Sequence, residues 1–287
     1  MDKKRKPYQL VSLDWKAEPT VFSVNNITIG GNAFNMIAGP CAVETEDQIH
    51  TIAGYLAKKG VHFLRGGAYK PRTSPYSFQG LREEGLRFLK EAAQLNNMAV
   101  ITEVMDTNLV SKLYDFTDIY QVGTRNMQNF QLLKALSKTD KPVMLKRGWS
   151  NTVEEWLLAA EYLLLGGNTK VILCERGIRT FETATRNTLD LNAVALLKTL
   201  THLPVFVDPS QATGSRNMVI PMSLAATAAG ADGIMVEVHN QPDEALSDGE
   251  QSLYFDQFDV LLNRLNPLSQ MLGKKPDFVS NITYENQ

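Results

Sequence analysis

Short apolar runs alternate along this chain with longer segments whose apolar residues recur every three or four positions. The runs lie at 36–38, 61–65, 99–103, 119–122, 143–146, 171–174, 205–207 and 234–238. Each is brief and almost continuously apolar, as expected of strands buried on both faces. After the first run, Ile49, Ile52, Ala53, Leu56 and Ala57 share one helical face, behind a capping-box pattern at 45–48. After the fifth, Val153, Trp156, Leu157, Ala160 and Leu164 share another, behind a second capping box at 152–155. Further helices are predicted at 81–96, 128–137, 188–199, 218–229 and 256–265. Eight βα units of about 30 residues each predict an α/β fold of the (β/α)8 TIM-barrel type. An open doubly wound sheet is the alternative. The barrel is expected over 35–265. Before it, an N-terminal extension at 1–34 contains a hairpin at 21–30 placed to close the barrel bottom. After it, a polar tail at 266–287 is expected to dock loosely.

Composition narrows the function classes. A chain of 287 residues with 44% hydrophobic content supports one large α/β domain with a full core. A formal net charge of −2 gives no broad field to attract nucleic acid or an anionic membrane, so neither is expected as a partner. The two cysteines, Cys41 and Cys174, do not suggest a disulfide framework. No apolar run approaches the roughly 18 residues of a membrane span, and the basic start at 1–7 has no apolar signal core behind it. A cytoplasmic protein is expected.

The candidate chemistry sits at the strand ends. Residues 70–80 read K-P-R-T-S-P-Y-S-F-Q-G, with two cations, four hydroxyls and two prolines in one loop. Arginine and lysine beside hydroxyl donors suit phosphate oxygens, and proline stiffens the loop that carries them. In a barrel of this kind the active site forms at the C-terminal ends of the strands. Those ends carry Cys41, Arg65 with Lys70, Glu103, Arg125, Lys146, Glu175 with Arg176, Asp208 with Gln211, and Glu237 with His239. Six cations (Arg65, Lys70, Arg72, Arg125, Lys146 and Arg176) converging on one mouth call for anionic ligands, such as two phosphates and a carboxylate. Cys41, Glu237 and Asp248 offer a thiolate and two carboxylates, a plausible divalent-metal set. Asp248 lies in a Ser-Asp-Gly turn able to carry its side chain back over the site.

Several separated motifs resemble the 3-deoxy-D-arabino-heptulosonate 7-phosphate (DAHP) synthases, in particular the short microbial type Iβ subgroup. They are A-G-P-C-A-V-E at 38–44, L-R-G-G-A-Y-K-P-R-T-S-P-Y-S-F-Q-G at 64–80, Q-V-G-T-R-N at 121–126 and L-K-R-G at 145–148. I-L-C-E-R-G at 172–177, V-D-P-S at 207–210, E-V-H at 237–239 and S-D-G at 247–249 complete the set. The resemblance implies condensation of phosphoenolpyruvate with erythrose 4-phosphate, the first step of the shikimate pathway. It implies that Arg125, Lys146 and Arg176 hold the phosphoenolpyruvate phosphate, with Arg65 and Lys70 near its carboxylate and the reacting aldehyde. Arg72 and Thr73 would grip the phosphate of erythrose 4-phosphate, with Ser74 and Arg216 as further substrate contacts. Lys70, Glu103, Lys146 and Asp208 are the implied catalytic residues. The implied metal ligands are Cys41, Glu237, Asp248 and Gln211, the last standing where the family pattern has a histidine. The implied cofactor is a divalent metal (Mn, Fe, Zn or Co), weakened by an amide in place of an imidazole. A homodimer or homotetramer is implied as well. Two other readings are a sister synthase taking another aldose phosphate, such as arabinose 5-phosphate, and a barrel that has lost catalysis and serves as a binding partner.

Overall fold

A computed structural model describes residues 7–279. The first strands are β1 (Phe22–Val24) and β2 (Ile27–Ile29), paired antiparallel. Asn25 and Asn26 between them both have positive φ, 47° and 68°, as a tight type I′-like hairpin turn requires. The barrel follows as β3 (Ala33–Gly39), α1 (Glu46–Lys58), β4 (Phe63–Arg65), α2 (Glu83–Leu95), β5 (Ala99–Glu103), α3 (Thr107–Leu113), β6 (Ile119–Val122) and α4 (Phe130–Leu136). Then come β7 (Val143–Lys146), α5 (Val153–Leu165), β8 (Val171–Glu175), α6 (Leu191–Leu200), β9 (Val205–Val207), α7 (Pro209–Thr213), α8 (Arg216–Ala228), β10 (Gly233–Glu237), α9 (Phe255–Met271) and β11 (Lys275–Pro276). Strands β3 to β10 are parallel, each paired to the next, and β10 returns to pair with β3. The eight-stranded ring is therefore closed, and the open-sheet alternative is excluded.

Two apolar layers result from the period-2 alternation along each strand. One set, including Ile37, Phe63, Ile101, Ile119, Met144, Ile172, Phe206 and Met235, packs into a cluster with Val24 and Ile29 of the hairpin. Their neighbours, such as Met36, Leu64, Val100, Leu145 and Leu173, join the helices in the larger outer cluster. The hairpin thus plugs the barrel interior.

The helices begin where capping chemistry predicts. Thr152 and Glu155 form a full capping box on α5. At α1, Thr45 accepts from the Gln48 N–H, but the Gln48 side chain does not reach back to Thr45. It accepts from the Glu44 N–H and donates to the Ala42 carbonyl, because it is drawn into the loops beside His239. The sequence pattern did not indicate α3 or α7. Helix α3 has seven residues, with only Leu113 fully buried beside the partly buried Leu109 and Val110, and α7 has five residues.

Both ends of the described chain are anchored. The Glu161 carboxylate accepts from the N–H groups of Gln9, Leu10 and Val11 at 3.0, 2.7 and 3.0 Å. The loose tail expected after 265 is corrected as far as 279. Helix α9 continues through Pro267 to Met271, and β11 pairs with β3. Asp277 accepts from the Asn35 side-chain amide at 2.8 Å and the Met36 N–H at 3.1 Å. Phe278 is buried edge-on against Phe34. Two anchors in a polar stretch were enough to dock it. The rest of the expected tail, 280–287, lies outside the described residues, as do residues 1–6 of the basic start.

Candidate active site

The C-terminal ends of the barrel strands open into one cleft of about 500 Å³. Its wall contains Arg65 at the end of β4, Glu103 at the end of β5 and Lys146 at the end of β7. Arg125 enters from the turn after β6, and Arg176 follows β8 directly. Gln211 comes from α7 and Asp248 from the loop after β10, while Lys70, Arg72, Thr73, Ser74 and Ser77 come from the 70–80 loop. That loop is shaped by its own bonds. The Lys70 N–H donates to the Gln79 carbonyl at 3.0 Å, and Arg72 Nε donates to the Phe78 carbonyl at 3.0 Å. Tyr76 points to solvent, 97% exposed, so three of the four loop hydroxyls face the cleft.

Beneath the cleft lies a buried charge network. Asp208 is fully buried, forms a very short ion pair with Lys146, and stands 3.7 Å from Arg65. Burial opposes its charge, but Lys146 and Arg65 outweigh that and hold its pKa low. Asp208 thus orients cations from below rather than lining the cleft. Arg65 also donates to Glu237 Oε1 at 3.0 Å, while its NH1 is buried and has no hydrogen-bond partner. At the floor of β5, Glu103 faces Gly123, where any Cβ would fall 2.0 Å from its Oε1. Glycine is required there for the carboxylate to occupy its position.

Cys41, Glu237 and Asp248 meet beside this network, with potential ligand atoms all within 4.8 Å of one another. Cys41 Sγ donates to Asp248 Oδ2 at 3.0 Å and accepts from Lys70 Nζ at 2.9 Å. Burial and the nearby Glu237 push the Cys41 thiol up to about 12. Burial also works against the Asp248 carboxylate, but the Cys41 hydrogen bond, Arg186, Gln211 and Lys70 together bring it down to about 2. Asp248 sits in the left-handed region at φ 55°, ψ 32°, as the Ser-Asp-Gly turn suggested. One thiol and one carboxylate from loops, with a second carboxylate from the last residue of β10, fit a divalent cation by donor chemistry. Gln211 is placed among them with its amide nitrogen, not its oxygen, toward the carboxylates: 2.7 Å to Glu237 Oε1 and 3.1 Å to Asp248 Oδ2.

One expected substrate contact is displaced. Arg216 is not on the cleft wall. Its guanidinium donates to the Ser252 and Gly249 carbonyls and to Asp243, and it lies over Tyr254. Backbone carbonyls on the β10–α9 loop capture it. The cleft instead contains residues the strand-end reading passed over, among them Trp149, Arg179 and Arg186. Arg179 and Arg186 lie on the loop pinched by the Ile178–Thr188 bridge, several residues beyond a strand end. Trp149 lies under three guanidinium groups, with Arg179 at 4.5 Å, Arg125 at 5.1 Å and Arg176 at 6.0 Å from its ring centroid. The signal was present as W, R and R near recognised motifs, but only folding places them together.

A closed barrel with a cationic cleft above a thiol–carboxylate cluster defines an enzyme-like sugar-phosphate or enol-phosphate site. Residues 14–273 match the profile of the family described as the DAHP synthetase I family, and the chain belongs to that family. It is 53% identical over 270 residues to phospho-2-dehydro-3-deoxyheptonate aldolase of Thermotoga maritima, covering 94% of this chain and 80% of that one. The crystal structure of that Thermotoga enzyme, titled DAHP synthase, superimposes with a TM-score of 0.92 over 95% of this chain and 80% of its own. A truncated form of the Thermotoga synthase is 48% identical, covers 94% of this chain and 99% of that one, and gives 0.88. A 2-dehydro-3-deoxyphosphooctonate aldolase of Syntrophobacter fumaroxidans is 31% identical over 262 residues, covering 85% of this chain and 90% of that one.

Proposed function

We propose that this chain condenses phosphoenolpyruvate with erythrose 4-phosphate to give 3-deoxy-D-arabino-heptulosonate 7-phosphate and phosphate. The observation that carries the reading is the cleft itself, which gathers Arg65, Lys70, Arg72, Arg125, Lys146 and Arg176. That number of cations suits two phosphates and a carboxylate. Arg125, Lys146 and Arg176 are assigned to the phosphoenolpyruvate phosphate. Arg65 NH1, which has Asp208 at 3.7 Å but no hydrogen-bond partner, is assigned to its carboxylate, which would satisfy a buried donor. Arg72, Thr73 and Ser74 are assigned to the aldose phosphate at the outer end. The greater identity to the heptonate enzyme than to the octonate enzyme supports the four-carbon aldose.

In the reaction, C3 of the enol attacks the aldehyde carbon and a C–C bond forms. Water adds to C2, the C2–O bond to phosphate breaks, and the ketone remains. Lys70 delivers the proton to the developing alkoxide. Burial disfavours its ammonium, but Cys41, Glu103 and Glu237 outweigh that and raise its pKa, so Nζ holds a proton to give. Glu103 and Lys146 position the water. Cys41, Glu237 and Asp248 would hold a divalent cation, which when bound supplies a Lewis acid for the aldehyde oxygen.

Phosphate release from phosphoenolpyruvate tests this with erythrose 4-phosphate and arabinose 5-phosphate in parallel, with and without chelator. Turnover with the four-carbon aldose is expected. Preference for the five-carbon aldose would assign the octonate reaction instead, and no turnover with either would leave a binding role.

A further inference from the structure

The Gln211 amide stands between the candidate metal cluster and the anion-binding arginines. Its Nε2 donates to Glu237 and Asp248 at 2.7 and 3.1 Å, and its Oε1 accepts from Arg176 at 3.3 Å. This orientation is dictated by chemistry. Guanidinium can only donate and carboxylate can only accept, so the opposite orientation would set oxygen against two carboxylates and N–H against Arg176. The backbone gives the side chain a fixed base, because Gln211 N–H donates to Asp208 at 2.9 Å.

A cation held by Cys41, Glu237 and Asp248 would meet the amide hydrogens that now bridge the two carboxylates. Relieving that contact means turning the amide over, which places its N–H groups against Arg176. Arg176 keeps the Gln211 backbone carbonyl at 3.3 Å, and the turn becomes favourable once an anionic acceptor replaces the amide oxygen. An anion in the cleft is such an acceptor, since Arg176 lines the cleft wall. We propose that Gln211 is a toggle coupling divalent-cation binding at Cys41, Glu237 and Asp248 to anion binding at Arg176, so that each ligand strengthens the other. The proposal rests on the metal-site assignment above but not on the identity of the aldose.

Coupling of this kind is reciprocal and commonly worth about tenfold in affinity. The test is calorimetric titration of Mn²⁺ into the full chain, with and without saturating inorganic phosphate. The electron paramagnetic resonance signal of free Mn²⁺ corrects for ion pairing in a protein-free blank. Phosphate is expected to tighten Mn²⁺ binding about tenfold. In Gln211→Leu and Gln211→Ala the same addition should tighten binding clearly less than in wild type, what remains being the through-space attraction between anion and cation. A wild-type Mn²⁺ affinity that ignores phosphate overturns the proposal, whatever the variants do. So does coupling undiminished in a folded variant. Failure to bind Mn²⁺ in every condition overturns it too, while phosphate release in excess chelator would show the condensation reading standing without it.

Discussion

At the residue scale, Lys70 ties the 70–80 loop to the candidate metal cluster. Its ammonium donates to the Cys41 carbonyl at 3.0 Å and to Cys41 Sγ at 2.9 Å, within reach of the whole charged floor. It comes from a loop, so Lys70→Ala is expected to remove turnover while the melting temperature stays close to wild type. Near-normal turnover in the purified variant would remove Lys70 from the proton-donor role. Arg72 tests the division of the cleft. Losing one charge-assisted phosphate contact costs about 1.5–3 kcal/mol. Arg72→Ala should therefore raise the KM for erythrose 4-phosphate roughly 10- to 100-fold and leave that for phosphoenolpyruvate nearly unchanged. Equal weakening of both substrates would contradict the assignment. The sequence made these residues legible because each lies on or just after a strand end. It could not indicate which polar groups face the cleft and which support it from below. Asp208 and Arg216 look equivalent to Lys146 and Arg72 in the sequence. Asp208 was drawn beneath the cleft by Lys146 and Arg65, and Arg216 was drawn aside by carbonyls that no pattern announces.

At the scale of elements, the eight barrel strands were legible because their apolar runs are continuous and their spacing is regular. Boundaries moved by only a residue or two for most of them. What escaped were elements too short to show a period, α3 and α7, and the arginine-bearing loop after β8, which has no period at all. The hairpin of β1 and β2 was legible from its apolar alternation, and its work as a plug follows from Ile29 and Val24 entering the barrel interior. Ile29 is 1% exposed, so truncation leaves a cavity that the barrel strands around it cannot close. Ile29→Ala is expected to cost about 2–4 kcal/mol, read as a lower urea midpoint. A cost near zero would mean the hairpin only rests on the barrel bottom. Because Ile29 sits at the opposite end from the cleft, KM values should not change.

For the whole molecule, the C-terminal stretch closes the fold by joining the first barrel strand through β11, Asp277 and Phe278. Little in the pattern announces this, since a mostly polar tail reads as solvated. Burial changes the Asp277 carboxylate's chemistry. It pushes Asp277 up to about 7, although the bonds from Asn35 and the Met36 N–H pull the other way. In the unfolded chain the same group has an ordinary carboxyl pKa of about 3.9. Between those values the folded protein carries more protons than the unfolded one, so stability falls as pH rises through the window and levels off above it. Asp277→Asn is neutral throughout and should lose this component. Melting temperatures measured from pH 4 to pH 8 are expected to fall by several degrees more for wild type than for Asp277→Asn. Parallel curves would show that Asp277 ionises normally in the folded state. A variant less stable than wild type at every pH by the same amount would show that the carboxylate serves only as an acceptor for Asn35 and Met36. With the expected result, the seam between the last and first elements of the barrel weakens as pH rises toward about 7, where Asp277 gives up its proton.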